Sequence, residues 1–145
     1  MKIYGKNTTA QQIYKKLSEV NAGIVLTAFE RKCIIANGFN VKPSYVSIDK
    51  KNEVWLINAG VDSGSLVKPG DFEPNRKKKL LLTKRQIEII KRLDNKELYI
   101  IPWSVFSDRQ FIKIQLAICE KSLDGIDNRH KIEEDLFKRE KKDLF

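Results

Sequence analysis

Residues Arg76 to Arg92 read RKKKLLLTKRQIEIIKR, four basic residues followed by an apolar triplet and a mixed segment. The stretch holds eight basic residues and one acidic residue, a net charge of +7, while the whole chain of 145 residues carries +9. Lysine and arginine bind a polyanion because they displace its counterions. The basic run therefore predicts a phosphate-binding segment, and a solvated charged helix face is the simpler alternative.

The second half of this stretch has the pattern of a helix. Thr83 and Gln86 have the spacing of a capping box, in which each side chain bonds the backbone N–H group of the other residue. Apolar residues then recur at spacings of three and would face a core. These residues are Ile87, Ile90 and Leu93. We therefore expect a helix from about Thr83 to Asp94.

The length and charge of the chain limit its class. A chain of 145 residues is most simply one domain with its own core. A net charge of +9 and a pI near 9.5 indicate an acidic partner, either a nucleic acid or an anionic membrane. No apolar run approaches the roughly 20 residues that span a bilayer, and residues 1 to 20 lack the apolar region of a signal peptide. We expect a soluble intracellular protein.

The cysteines do not form a metal-binding pattern. Cys33 and Cys119 are far apart, and His130 is the single histidine, so no zinc motif is present. We expect both cysteines to be buried as small apolar residues. A Cys/His nucleophile pair is the alternative.

Short strands with few helices are predicted along the rest of the chain. The predicted strands cover residues 24 to 29, 45 to 48, 53 to 57, 98 to 106 and 111 to 119, and the further helices cover 9 to 20 and 30 to 36. Residues 60 to 75 contain three glycines and two prolines and predict a long loop. Pro102 indicates an edge position or a bulge. We expect a mainly β fold with short flanking helices, a closed antiparallel barrel of the oligonucleotide-binding (OB) type.

The end of the chain differs in composition. Residues 120 to 145 hold seven basic and eight acidic residues, and few of the late residues are apolar. Such a segment is typical of a solvated helix or a partly ordered extension. We therefore divide the chain into a barrel domain at residues 1 to 119 and a charged tail at 120 to 145.

Several short motifs follow one another along the chain. They are AGIVLT at 22 to 27, NVK at 40 to 42, SYV at 44 to 46, EVWL at 53 to 56, EPNR at 73 to 76 and KLLL at 79 to 82. Each motif alone is weak. Their order resembles that of the small protein B family, the bacterial partner of transfer-messenger RNA.

The resemblance implies an OB-type barrel that binds the tRNA-like domain of transfer-messenger RNA and delivers it to stalled ribosomes, without catalysis or a cofactor. The tail would enter the empty messenger channel and contact small-subunit RNA. The resemblance also implies a protein of the bacterial cytoplasm, with an organellar matrix as the alternative, and we expect a monomer when free.

The candidate site residues combine this resemblance with the basic charges. For RNA binding they are Asn7, Lys32, Arg76, Lys77, Lys78, Lys79, Leu81, Lys84 and Arg85. The candidate ribosome-contacting residues of the tail are Asp127, Arg129 and Lys131. The tail nets −1 where the family's tail is basic, so RNA binding by the barrel is better supported than channel insertion. The family's first segment is extended, which conflicts with a helix at 9 to 20.

Three other functions stay open. A degenerate relative would bind ribosomal or transfer RNA without completing rescue. An RNA-cleaving enzyme would use Glu30 or Glu53, although an acid beside basic residues is more often part of an ion pair. A basic membrane-surface protein would need a broader apolar helix face than residues 83 to 94 offer.

Overall fold

The structure is a computed structural model that describes residues 1 to 94 and 98 to 121. These residues form strands and helices in the following order. They are β1 (Ile3–Lys6), α1 (Thr8–Ile13), β2 (Tyr14–Ile24), α2 (Ala28–Asn37), β3 (Phe39–Asn40), β4 (Tyr45–Ile48), β5 (Val54–Ile57), β6 (Gly60–Val61), β7 (Lys78–Leu81), α3 (Lys84–Asp94), β8 (Tyr99–Asp108) and β9 (Phe111–Lys121).

Seven strands form one antiparallel sheet in the order β1-β8-β9-β2-β7-β5-β4, and β3 pairs with β6 separately. The prediction of a mainly β fold with few helices is confirmed. Strands β1 and β4 are the edges of the sheet, and no ladder joins them in the described part of the chain. The sheet is therefore not closed by hydrogen bonds, and a closed barrel stays a prediction.

The core lies against the inner face of β2 and β9. Strand β9 alternates as predicted, with Ile112, Ile114 and Leu116 at most 5% exposed and Lys113 and Gln115 partly exposed. The strand continues to Lys121, two residues beyond its predicted end at Cys119. These long central strands position β7, which pairs with the end of β2.

The capping box at the start of α3 is confirmed. The Gln86 backbone N–H donates to Thr83 Oγ1 at 3.1 Å, and the Thr83 backbone N–H donates to the Gln86 side-chain oxygen at 2.9 Å. Ile90 and Leu93 are 1% exposed, and Ile87 packs against the core. The packing of this apolar side therefore fixes the orientation of the helix and of the charged residues on its outer side.

The predicted helix at residues 9 to 20 is confirmed only for residues 9 to 13 and is wrong for residues 14 to 20. Helix α1 begins after Asn7, whose Oδ1 accepts the Ala10 N–H at 3.1 Å, and it ends at Ile13 because the chain is extended from Tyr14 onward. Strand β2 forms a long antiparallel ladder with β9, so tertiary pairing overrides the local apolar spacing.

The predicted strand at residues 24 to 29 is also wrong. Strand β2 ends at Ile24, and α2 begins at Ala28 with a second capping box formed by Thr27 and Glu30. The Glu30 N–H donates to Thr27 Oγ1 at 3.1 Å, and the Thr27 N–H donates to Glu30 Oε1 at 2.8 Å. The predicted helix at 30 to 36 lies within this longer helix.

The remaining local predictions agree with the structure. Strands β4 and β5 form the expected hairpin, with Tyr45 opposite Ile57. The 60 to 75 region is a loop apart from the two residues of β6. Strand β8 is not an edge strand, but its register with β9 shifts between Pro102 and Ser104, which confirms the bulge.

Both cysteines are buried, as predicted. Burial raises the pKa of the Cys119 thiol to about 12 and also raises the pKa of Cys33. The two thiols therefore stay protonated at neutral pH, and they behave as small apolar side chains.

Candidate nucleic-acid interface

Strand β7 and the two residues before it separate the basic run into two faces. Strand side chains point alternately to opposite sides of a sheet. Lys78 and Leu80 are buried, whereas Lys77 and Leu81 are exposed and Lys79 is partly exposed. Residues of one chemical type thus have different environments according to their position in the strand.

The inner face carries an ionic cluster in which Glu30 and Lys78 are buried and Arg76 is partly exposed. Arg76 binds Glu30 through two nitrogens, with the Nε donating to Oε2 at 3.0 Å. The Nη2 group that binds Glu30 Oε1 also donates to the Val25 carbonyl oxygen, and Nη1 donates to the Lys77 carbonyl oxygen, each at 3.2 Å. Lys78 Nζ lies 3.9 Å from Glu30 Oε2. The cluster joins the first turn of α2 to the start of β7.

The opposite charges of Glu30 and of the two cations stabilise one another in the cluster. Burial raises the pKa of Glu30, but the hydrogen bonds from Arg76 and Thr27 and the charge of Lys78 outweigh it, so the pKa lies below its usual value. Burial lowers the pKa of Lys78, and the Glu30 carboxylate opposes that effect. The hydrogen bond to Glu30 raises the pKa of Arg76. Removing Glu30 would therefore leave two cations without their anion.

The structure does not support Lys78 as one of the RNA-binding residues selected from the sequence. Its side chain is 0% exposed, and its ammonium donates to the Ala59 carbonyl at 2.9 Å and to the Arg76 carbonyl at 2.8 Å. It therefore has no access to a ligand at the surface. Arg76 is only partly exposed and forms an ion pair with Glu30, so its main role is also to stabilise the fold.

On the outer face, Trp55 supports Lys77. Lys77 Nζ lies 4.3 Å from the centre of the Trp55 ring, within the range of a cation–π contact. The indole N–H donates to Asp49 Oδ2 at 3.0 Å, which fixes the ring. Lys77 is thereby held above the sheet in an exposed position.

Lys79 lies one strand position further along this face. Its Nζ is 3.7 Å from Glu53 Oε1, and both side chains are more than a third exposed. Such an exposed pair is weak and is readily exchanged for a phosphate. Lys79 and Leu81 also line a groove of about 490 Å³ that reaches the first turn of α3 at Thr83 and Gln86.

The first turn of α3 carries two exposed cations, Lys84 and Arg85, and no acidic residue. The N-terminus of a helix has a partial positive charge, so cations here oppose the helix dipole by about 0.3 to 1 kcal/mol each. Residues that break a local stability rule are expected at functional sites. The same N-terminus favours an anion such as phosphate.

A sequence model of the SmpB protein family matches residues 4 to 145. The chain belongs to the SmpB family. The SsrA-binding protein of Chlamydia caviae is 36% identical over 114 residues, which cover 78% of this chain and 75% of that protein. The SsrA-binding protein of Mycoplasma mobile is 34% identical over 144 residues, 98% of each chain.

The fold agrees with this membership. A chain from a solved structure described as the journey of tmRNA-SmpB to the center of the bacterial ribosome superposes with a TM-score of 0.65. The match covers 94% of this chain and 96% of that chain at 23% sequence identity. At this identity the likeness shows that the two chains share a fold.

Two other candidates inferred by resemblance to the SmpB family, Lys32 and Asn7, belong to α2 and to the N-cap of α1. Lys32 is exposed on α2, two residues after Glu30, so the ionic cluster places its helix beside the start of β7. Asn7 is 4% exposed, caps α1, and donates from Nδ2 to the Pro102 carbonyl at 3.0 Å. Asn7 therefore stabilises the start of α1, and its contact with RNA stays a prediction.

The tail candidates of this SmpB-family chain lie outside the described residues. They are Asp127, Arg129 and Lys131. The two acids considered for catalysis are both in ion pairs, Glu30 with Arg76 and Glu53 with Lys79. In residues 1 to 94 and 98 to 121, none of the helices has the length and hydropathy needed to cross a membrane.

Sequence reasoning overlooked two residues near this surface. Phe111 is 67% exposed at the start of β9, and Arg31 is partly exposed on α2. Both line a groove with Leu81, which is 56% exposed. The predicted alternation in β9 contained the signal for Phe111, because it assigns this aromatic residue to the same outward face as Lys113.

Proposed function

We propose that this chain binds transfer-messenger RNA and acts with it in the rescue of stalled ribosomes, as a binding and positioning factor. The observation that carries the proposal is the outer surface of β7 and α3, which presents Lys77, Lys79, Lys84 and Arg85 in a chain of the SmpB family. The names of the relatives, SsrA-binding protein, and of the fold neighbour, tmRNA-SmpB, support this choice of RNA.

The chemistry of the surface suits structured RNA. Cations on one face neutralise phosphates, and double-stranded RNA is recognised mainly through its shape and backbone. The inner cations stay bound to Glu30 and do not contribute. We accordingly omit Lys78 from the proposed contacts and assign Arg76 a positioning role for the surface.

We also propose that the sheet curls into an OB-type barrel. Strand β4 at one edge approaches β8 without a ladder between them, and a groove of about 670 Å³ lies between these strands and α3. Curling brings the two ends of a sheet together and gives β7 and β5 a common convex outer face. We also propose that the protein acts in the bacterial cytoplasm, because bacterial ribosomes work there and the relatives are bacterial proteins.

The test compares the wild-type chain with a variant in which Lys77, Lys79, Lys84 and Arg85 are all alanine. Binding of transfer-messenger RNA is measured by filter retention, and tagging of a stalled peptide is measured in a reconstituted translation system. We expect the wild type to bind and to support tagging, and the variant to lose both while it retains its folded far-ultraviolet signal. Equal RNA affinity of the two proteins would refute the proposed surface.

A second candidate rests on the tail, whose residues 120 to 145 net −1. An acidic segment is repelled by ribosomal RNA, so the chain would bind RNA through its sheet and fail to complete rescue. RNA binding without tagging in the same assay would favour this degenerate relative. Labelled RNA that stays intact during incubation would agree with a factor that does not cleave it.

A further inference from the structure

A second groove lies directly beside the proposed surface, on the outer side of β2, β7 and β9. It has a volume of about 440 Å³, near the lower end of the range for small-ligand sites. Its walls are Leu81 and Phe111, and Gly23 lies between them. Leu81 follows Lys79 on the same face of β7, so the groove is continuous with the proposed RNA surface.

The walls of the groove are apolar and unusually open. Phe111 is 67% exposed and Leu81 is 56% exposed. A large apolar side chain gains stability only when it is removed from water, so an adjacent exposed pair indicates a contact that is made with a partner.

Gly23 keeps the floor of this groove low. It pairs with Leu81 on one side and with Lys113 on the other. Its neighbours Ala22 and Ile24 are buried, so a side chain at position 23 would point outward. A Cβ atom there would lie 3.4 Å from Leu81 Cβ and Cδ1, in contact with the groove wall.

Cations stand at the rim of the groove. Arg31 lines it, and the described residues give the guanidinium group no acidic partner. Lys113 also lines it and is 3.2 Å from Asp108 Oδ2, in a pair whose members are both more than a third exposed. An anion could therefore displace Asp108 at little cost.

We propose that this groove binds one unpaired nucleobase of the bound RNA, with the base stacked on Phe111 and its flanking phosphates near Arg31 and Lys113. The inference rests on the proposed function and adds a base-stacking site to a surface that otherwise contacts phosphates. An aromatic wall with cations at its rim is the combination that binds single-stranded nucleotides. A fully base-paired region could not enter, because its bases are already stacked.

The first experiment replaces Phe111 by alanine, leucine or tryptophan and measures affinity for transfer-messenger RNA over a range of salt concentrations. We expect Phe111→Ala and Phe111→Leu to weaken binding about 10-fold and Phe111→Trp to retain it, because stacking needs an aromatic face. The salt slope should not change, since no phosphate contact is lost. Equal weakening by Phe111→Trp and Phe111→Leu would overturn the stacking role.

The second experiment tests the shape and the rim of the groove. Gly23→Val fills the floor without changing any charge, and we expect it to weaken binding about as much as Phe111→Ala at an unchanged salt slope. Arg31→Ala should lower the slope by about 1, as expected for the loss of one phosphate contact. Melting temperatures of all variants show whether the fold is intact.

A crosslink identifies the occupant. A photoreactive p-benzoylphenylalanine at position 111 should attach to one or two unpaired nucleotides of the RNA, and removing the base of that nucleotide should abolish the difference between the wild type and Phe111→Ala. A crosslink only to paired regions, or only to protein in a cell extract, would overturn the proposal. The matched control for Arg31→Ala is Lys50→Ala, which also removes one cation, because Lys50 is exposed and lines a different groove.

These outcomes separate the two proposals. If the wild-type protein does not bind transfer-messenger RNA, the proposed function fails. Suppose that the wild type binds and the variant with alanine at Lys77, Lys79, Lys84 and Arg85 does not. If Phe111→Ala and Gly23→Val then bind normally, the proposed function stands and the stacking site is refuted.

Discussion

Both faces of the sheet at the start of β7 carry basic residues, but the inner ones stabilise the fold and the outer ones are accessible to a ligand. Lys78 is enclosed by two backbone carbonyls and Glu30, whereas its neighbours Lys77 and Lys79 stand above the sheet. The inner charges compensate one another and hold α2 against β7. The outer charges have only weak partners, so they remain available to an anionic ligand. Net charge alone therefore overstates the number of cations that can bind RNA.

The largest expected effect comes from removing the anion of the inner face. Glu30→Ala leaves the buried ammonium of Lys78 without its counter-charge and removes the bond from the Thr27 N–H to the Glu30 side chain, so we expect a loss of about 3 to 5 kcal/mol in the free energy of unfolding. Urea denaturation measures this loss. The matched control is Glu53→Ala, which breaks an exposed pair and should cost less than about 1 kcal/mol. Equal losses would contradict the division into two faces.

A smaller difference should separate two neighbouring lysines given the same substitution. Lys78→Met leaves the carbonyl oxygens of Ala59 and Arg76 without their donor, and we expect it to cost about 1 to 3 kcal/mol. Lys77→Met loses only the contact with Trp55, which is worth about 0.5 to 1 kcal/mol at an exposed site. Thermal unfolding of the two variants tests the order. A larger loss for Lys77→Met would show that Lys78 does not stabilise the fold.

The inner face should also respond to acid. Because the folded pKa of Glu30 lies below its ordinary value of 4.5, its contribution to stability is fully present above that pH. The contribution is lost as the pH falls through the folded pKa. The stability difference between the wild type and Glu30→Gln should therefore shrink below about pH 4.5. A difference that stays constant down to pH 3 would refute this titration.

The sequence predicted four strands of the seven-stranded sheet, β4, β5, β8 and β9, because their signals are local. The capping box of Thr83 and Gln86, the hairpin of β4 and β5, and the alternation of β9 all depend on neighbouring residues. The same capping pattern at Thr27 and Glu30 was overlooked, because the β-branched residues before it favoured a strand. Residues 14 to 20 were assigned wrongly, since their strand exists through pairing with β9.

The site was predicted less completely. Four consecutive basic residues show no alternation of polar and apolar side chains, so the sequence could not show that Lys78 points inward. The partner that draws it inward, Glu30, is 48 residues away in the chain. Arg31 and Phe111 were not selected, because their proximity to Leu81 depends on the packing of α2, β7 and β9.

The central claim is that RNA is bound by the outer cations of β7 and not by the inner ones. The most direct measurement is the salt dependence of transfer-messenger RNA binding for Lys79→Met and Lys78→Met, at a temperature where both variants are folded. We expect Lys79→Met to lower the slope of log affinity against log salt by about 1 and Lys78→Met to leave it unchanged. A slope reduced by Lys78→Met and unchanged in Lys79→Met would contradict the account.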